Sequence, residues 1–357
     1  MAITPETTVQ STTDATAWVD LASPSHPFLF AALLDDLPVT PRTTVRKKTE
    51  TVDLAIDAGL DPVVMGRDFD NATLRKFGIP LRTAQLSLQA PKADVSLSAR
   101  NAMCILASKA RGIPSIHFTD NDITAYVDGL PAERLYNRLE AMATHNVVPA
   151  AFETTELTRY GASPSQIHTF DGFKEDIYVA DFEPDPAFLD ELPFEEYVVV
   201  RPEALGAAYV DDVESIVPEL LELLVDASEN VVYLPRGRGD ESFADPYPSD
   251  VVYVPDSALD GLQLAWHSRC VLTGSGTMAR EAASMQKPAV SFFPNELLSV
   301  DRELVDQDRI FHSRSPSEIV EYVTSRTSSD IAPDMTACRA VRDEVLVLLR
   351  SLIERHA

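Results

Sequence analysis

Residues 270–293 read CVLTGSGTMAREAASMQKPAVSFF. An apolar run (270–272) meets a turn at Gly274-Ser275-Gly276-Thr277, a helical stretch follows, and a second apolar run (289–292) comes after Lys287-Pro288. Strand, turn, helix and strand in that order form one unit of a parallel sheet, because parallel strands need a crossover and a helix usually supplies it. Glycines at 274 and 276 permit close approach of a ligand to the backbone. Unpaired amides at the helix start point towards an anion, and in an open α/β sheet this turn lies at the carboxyl edge of the strands, where ligands bind. The structural alternative is a ligand-free turn in which Ser275 or Thr277 caps the helix, with Arg280 or Glu281 contributing. No GK[ST] follows the glycines and no GxGxxG opens the chain's first unit, which disfavours ATP hydrolysis and dinucleotide binding.

The same alternation extends in both directions. Towards the N-terminus, strands are predicted at 15–21, 61–66, 93–97, 114–118 and 146–148, with helices at 28–37, 68–77 (ended by Gly78), 101–111, 132–142 and 152–160. Residues 181–193 turn rich in proline and acid. Beyond them come strands at 197–200, 230–234 and 250–254 and helices at 213–225, 259–265, 317–325 and 335–355. The expected fold is α/β, with two Rossmann-like doubly wound domains facing a central cleft. Its expected parts are an irregular tail (1–14), an N-terminal domain (15–180), a linker (181–193), a C-terminal nucleotide-binding domain (194–340) and a final helix (341–357) crossing back to the first domain.

A chain of 357 residues with 45% hydrophobic content is long enough for two such cores. Its formal charge of -26, from 56 acidic against 30 basic side chains, would repel a nucleic-acid backbone. A phosphorylated small molecule remains compatible, since a helix terminus and an arginine make a local positive hole. The scattered acid and scarce lysine look like the surface of a protein from a salt-rich cytoplasm, with an ordinary acidic enzyme as the alternative. Cys104, Cys270 and Cys338 are too far apart for a disulfide framework or a metal cluster. The first residues lack an apolar signal core and no stretch reaches membrane-spanning length, so a cytoplasmic protein without an integral membrane segment is expected.

Candidate chemistry gathers at the predicted strand ends. Asp20 and His26 flank the first strand-to-helix loop, DLASPSH, and His117, Asp120 and Asp122 lie in HFTDND after another strand. Carboxylates and imidazoles there suit sugar hydroxyls or acid–base work; caps and surface turns are the alternative. Arg201 follows a buried-looking strand and can present a fork to phosphate or carboxylate, with a salt bridge to a neighbouring acid as the alternative; Arg236 and Arg238 in LPRGRGD are weaker candidates, on a loop open to solvation. Lys174 and Glu175, in FDGFKEDIY, are placed to contact the cleft or to pair on the surface. No metal-ligand spacing and no cofactor motif is present.

Segments 18–26, 112–122, 172–178, 199–202 and 272–293 together resemble an uncharacterised prokaryotic, largely archaeal family. That family is itself similar to UDP-N-acetylglucosamine 2-epimerases and GT-B-type glycosyltransferases. LTGSGTMAREAA with KPAVSFFP, and FDGFKEDIY, carry the resemblance most specifically, and it spans about residues 15–350. It implies a nucleotide-activated sugar as ligand, with most of the nucleotide on the second domain. The epimerases have SGG..EE where this chain has Ser275-Gly276-Thr277 and Arg280-Glu281. By that match Ser275 and Gly276 meet diphosphate and Glu281 holds ribose hydroxyls. Arg201 falls near a histidine–arginine loop, but its histidine is absent from Val199-Val200-Arg201-Pro202. The epimerase HVEAG is only approximated by His117-Phe118-Thr119-Asp120. The function expected first is nucleotide-sugar-dependent glycosyl transfer, with a non-catalytic binding or assembly protein and a nucleotide-sugar 2-epimerase as alternatives. Homo-oligomerisation stays open.

Overall fold

The computed structural model describes residues 15–47, 50–67, 72–203, 214–236, 239–326 and 334–356. Its first sheet contains β1 (Ala15–Leu21), β2 (Val39–Lys47), β3 (Pro62–Arg67), β4 (Val95–Ala99), β5 (Ser115–Phe118), β6 (His145–Pro149) and β7 (Ile167–Phe170). The second contains β8 (Val198–Arg201), β9 (Val231–Tyr233), β10 (Val252–Tyr253), β11 (Cys270–Thr273), β12 (Ala289–Ser291) and β13 (Phe311–His312). Around the first lie α1 (His26–Leu34), α2 (Thr51–Asp57), α3 (Ala72–Gln89), α4 (Ala102–Arg111), α5 (Pro131–Glu140), α6 (Thr155–Thr158) and α7 (Lys174–Val179). The rest are α8 (Val217–Asp226), α9 (Gly261–His267), α10 (Gly276–Ser284), α11 (Ser299–Asp306), α12 (Pro316–Thr324) and α13 (Thr336–Glu354).

The strand orders are β3-β2-β1-β4-β5-β6-β7 and β10-β9-β8-β11-β12-β13, all neighbours parallel. These are two Rossmann-like domains facing a cleft. In each, strand order reverses once, between β1 and β4 and between β8 and β11. Loops at the carboxyl ends of such neighbours diverge and leave a crevice. The turn after β11 and the loop after β1 therefore sit at the two switch points.

Both faces of the central strands are buried, which is why they read as continuous apolar runs. One apolar cluster links the lobes, from Val19 and Leu21 of β1 through Ile177 of α7 to Val271 of β11 and Leu349 of α13. Each such large side chain, fully buried, contributes roughly 1.5–3 kcal/mol. The three cysteines are buried, and burial pushes the thiols of Cys270 and Cys338 up to about 12. Among the described residues no helix is long and apolar enough to cross a membrane.

Several expected elements differ. β2, α2, α7, α11 and β13 were not anticipated: β2 is VTPRTTVRK, whose exposed residues mask its buried Thr43, Thr44 and Val45, α7 occupies a segment that reads as strand and turn, and β13 is only two residues long. The helix expected at 152–160 contracts to the single turn of α6. The one expected at 68–77 runs on through Gly78 and Pro80 to Gln89, because its later half buries Arg82 and Leu86 against the first sheet. Its predicted start at 68–71, the start at Val213, the tail 1–14 and Arg238 lie outside the described residues.

α13 crosses to the first sheet, packing on α7 and β7. There Arg350 Nη2 donates to Asp36 O (2.7 Å), and the amide of Asp171 donates to Glu344 Oε2 (3.2 Å). At its end His356 Nε2 meets His145 Nε2 at 2.9 Å, and His145 Nδ1 meets His168 Nε2 at 3.0 Å. Burial, then the neighbouring His168, His356 and Arg355, lower His145 from 6.5 to about 4. A depressed histidine is neutral in the fold, so the unfolded chain takes up the proton first and stability is lost as pH falls. Thermal midpoints should thus decline between about pH 6.5 and pH 4, and the decline should be smaller in His145→Gln. An identical pH profile in that variant would remove the histidine chain as its cause.

Candidate active site

Thr273 ends β11, and its Oγ1 accepts the amide of Ser275 at 2.9 Å. Ser275 is the extended N-cap residue of α10, yet its side chain makes no cap hydrogen bond. The glycines are explained by close approach rather than by left-handed backbone. A Cβ on Gly274 would stand 2.6 Å from Glu203 Cα and 2.8 Å from its amide nitrogen, and one on Gly276 would stand 2.6 Å from Arg280 Nη1. Backbone cannot swing aside as a side-chain tip can. Gly274→Ala should therefore cost about 1–3 kcal/mol by overpacking. A denaturant midpoint equal to the parent's would show that the β8 and β11 loops are not tightly apposed.

A cavity of about 450 Å³ lies between the lobes at this turn. It is lined by Gly274, Ser275, Gly276, Thr277 and Arg236 from the second lobe and by His26, Asp120 and Lys174 from the first. Those expected residues therefore share one site. His26 stands at the start of α1, its Nδ1 accepting the Ala22 amide at 3.2 Å. An imidazole that accepts at Nδ1 carries its proton on Nε2 when neutral, which makes it a donor at that nitrogen.

Behind the turn, Arg280 joins the lobes. Its Nε donates to Glu175 Oε1 (3.0 Å), its Nη1 to Asp301 Oδ1 (2.8 Å), and its Nη2 is 3.6 Å from Asp120 Oδ2. Lys174 Nζ donates to the same Asp120 oxygen at 2.7 Å. Burial opposes the Asp120 charge, but Lys174 and Arg280 outweigh it and hold the carboxyl far below the ordinary range. Burial likewise works against the Lys174 ammonium, and Asp120 and Glu175 together more than offset it. Asp120 is therefore held as an anion by two cationic neighbours, a poor match for the proton transfer expected of it from sequence.

Other expected catalytic residues are placed elsewhere. Asp20 is fully buried beneath the cleft, gripped by Arg82. His117 is also fully buried, its Nδ1 at 3.0 Å from Ser98 Oγ, because the sheet packs α4 and α5 over it. Its Nε2 stands 3.4 Å from Glu140 Oε1 without hydrogen-bond geometry. Asp122 accepts the amides of Glu153 (2.9 Å) and Ser299 (3.1 Å), so it bridges the lobes as a helix cap on α11. Tyr126 reinforces that bridge, its hydroxyl 2.5 Å from Ser299 Oγ. Glu175 belongs to the Arg280 network and lies outside the cavity wall. Arg201 ends β8, and among the described residues no hydrogen bond engages its guanidinium; it bears on Glu281 electrostatically.

Glu281 also lies off the cavity wall, its Oε1 accepting from the Tyr178 hydroxyl at 2.8 Å. Burial chiefly, and then Glu175, push its carboxyl up to about 7 against the opposing Tyr178 bond.

The cavity includes side chains that sequence reading missed or undervalued: Arg46, Arg100, Tyr136, Arg280 and Asp301. Five cations (Arg46, Arg100, Lys174, Arg236, Arg280) face it against two carboxylates, while the counter-charges Glu133, Glu140 and Glu175 stand behind the wall. Paired charges so oriented leave a positive field on the cavity side. Arg100 had a usable signal, since it lies in the short step between the strand predicted at 93–97 and the helix predicted at 101–111. Among the described residues no group of three or more His, Cys, Asp or Glu is placed to hold a metal.

A family model described as a protein of unknown function, DUF354, matches residues 83–353. The chain belongs to the DUF354 family. An uncharacterized protein of Methanocaldococcus jannaschii is 35% identical over 127 residues; the match covers 35% of this chain and 36% of that relative, about a third of its length. The UDP-N-acetylglucosamine 2-epimerase of Rickettsia bellii is similar in structure, with TM-score 0.69 and 15% identity over 96% of this chain and 98% of that one. The Methanocaldococcus jannaschii UDP-GlcNAc 2-epimerase, solved with UDP-GlcNAc and UDP, gives TM-score 0.65 and 12% identity over 94% and 99%. At such identities the likeness establishes for this DUF354 member the two-lobed fold.

Proposed function

We propose that the chain processes a nucleotide-activated sugar, holding its diphosphate at the α10 start and breaking the bond between that diphosphate and the anomeric carbon. The observation that carries this reading is the cavity itself, where an amide-lined glycine turn and five cations converge in a protein of charge -26. Preorganised donors of this kind stabilise charge as it develops on a leaving diphosphate. His26, with its proton on Nε2, serves as donor, and Asp120 holds Lys174 in place.

Epimerisation at C2 is placed ahead of glycosyl transfer, reversing the order expected from sequence, because both neighbouring structures named above are 2-epimerases. Transfer remains the second reading, favoured by the missing histidine before Arg201. A panel of nucleotide sugars in heavy water tests both. Deuterium at sugar C2 supports epimerisation, and nucleoside diphosphate release that requires an acceptor supports transfer. Binding without either would make the chain a non-catalytic carrier, and no binding across the panel would defeat the proposal.

A further inference from the structure

Arg100 follows β4 directly, at the switch point with β1, and belongs to the cavity wall on the first lobe, across from the α10 start. Its φ is 41°, in the left-handed region that a residue with a side chain enters only when its surroundings impose it. Here the imposing contacts are the Arg100 amide donating to Phe118 O (2.9 Å) and the Tyr136 hydroxyl donating to Arg100 O (3.3 Å).

The side chain is equally fixed. Nη1 donates to Glu140 Oε2 (2.7 Å) and Asn137 Oδ1 (3.1 Å), Nη2 donates to Glu133 Oε2 (2.5 Å), and the guanidinium lies over the Tyr136 ring at 5.1 Å. A guanidinium has five N–H donors. Three are engaged by these acceptors, and among the described residues none meets Nε. Glu133 and Glu140 are outside the cavity wall, whereas Arg100 and Tyr136 are in it. The result is an arginine braced from behind, with donor capacity left over at a ligand crevice.

We infer that Arg100 binds a second oxyanion, a carboxylate or phosphate carried by the sugar or by its acceptor. The inference rests on the diphosphate reading above, because the α10 start is then occupied by the nucleotide and the first-lobe end of the cavity receives what the nucleotide delivers. The two donors left, Nε–H and one N–H of Nη2, match two oxygens of such an anion. An arginine fork pairs with carboxylate or phosphate with a geometry that lysine cannot match.

Calorimetric titration of UDP, GDP, dTDP, UDP-glucose and UDP-glucuronate into the full chain tests this, with glycerol phosphate titrated into the UDP-saturated protein as the acceptor arm. Arg100→Gln alone would strand buried Glu140, so the variants are R100K and the charge-neutral pair R100Q/E140Q. For an anion on the sugar, UDP-glucuronate should bind about tenfold tighter than UDP-glucose, a typical charge-assisted increment. For an anion on the acceptor, glycerol phosphate should bind the UDP complex. Either signal, read as the ratio of UDP-glucuronate to UDP-glucose affinity or as glycerol phosphate binding to the UDP complex, should vanish in both variants whatever change their UDP affinity shows. UDP binding with neither signal, or signals that persist in the variants, overturns the inference and leaves the diphosphate reading standing. Failure of all three nucleoside diphosphates to bind overturns both.

Discussion

Arg280→Leu should destabilise the protein by about 3–5 kcal/mol, the usual result of removing one partner from a buried ionic network. Arg280 is 5% exposed, and its charge is shared among Glu175, Asp301 and Asp120, which come from three different elements and both lobes. Without it, Lys174 alone would face Asp120 and Glu175, Asp301 would lose its ion pair, and Glu175 already has one oxygen, Oε2, without a partner. Leucine fills part of the volume but answers none of the charge. Arg280→Lys should fall between parent and leucine variant, since a single ammonium cannot reach three carboxylates with fork geometry.

The check is urea unfolding at constant salt, because screening alters charge contributions. Combining Arg280→Leu with Glu175→Leu and Asp301→Leu should recover much of the loss, as apolar replacement of a whole buried network often does. A single variant within 1 kcal/mol of the parent would mean that the network does not hold the lobes together. Acid acts in the same direction: Asp120 titrates far below its ordinary value, so its contribution is complete at neutral pH and is lost as pH falls below the unfolded value of about 3.8. The bridge from Asp122 to the start of α11 is independent of Arg280 and should keep the lobes partly engaged in the leucine variant.

The sheets were legible because their central strands are buried on both faces and carry unbroken apolar runs, VVV at 198–200 among them. The loops at the switch points were legible for a related reason, since small and polar residues between such runs mark strand ends. Much less could be read of the pairing of charges. In TGSGTMAREAA, Arg280 is four residues from Gly276 on one helix, but nothing in sequence reveals that it meets Glu175 and Asp301, 105 and 21 residues away. Asp120 and Asp122 look alike in HFTDND, yet one faces the cavity and the other caps a helix of the opposite lobe. That distinction depends on which way a two-residue step turns after β5, a tertiary property. His117 illustrates the same limit: its strand is fully buried, so an imidazole that appears poised at a strand end is sealed beneath two helices.

Asp20→Ala should also destabilise by about 3–5 kcal/mol, because it leaves a buried guanidinium unpaired. Asp20 Oδ2 accepts Arg82 Nη1 at 2.8 Å and Asn101 Nδ2 at 2.8 Å, while Oδ1 accepts Arg82 Nη2 at 2.7 Å and Thr44 Oγ1 at 2.6 Å. Four donors satisfy both oxygens, and neither residue of the Asp20–Arg82 pair is more than 2% exposed. Gly66, at φ 80°, lets the Arg82 stem pass, since a Cβ there would lie 2.8 Å from Arg82 Cδ. The pair thus ties α3 to the central strand β1, whose carboxyl end carries the His26 loop. A catalytic aspartate would give the opposite pattern, a stable but inactive variant. Urea unfolding combined with nucleotide titration of the folded fraction separates the two: the structural role requires lower stability with near-parental affinity. Asp20→Leu with Arg82→Met should regain part of the loss, as removing both charges leaves no unpaired ion in the core. An Asp20→Ala protein of parental stability would return this residue to the list of catalytic candidates.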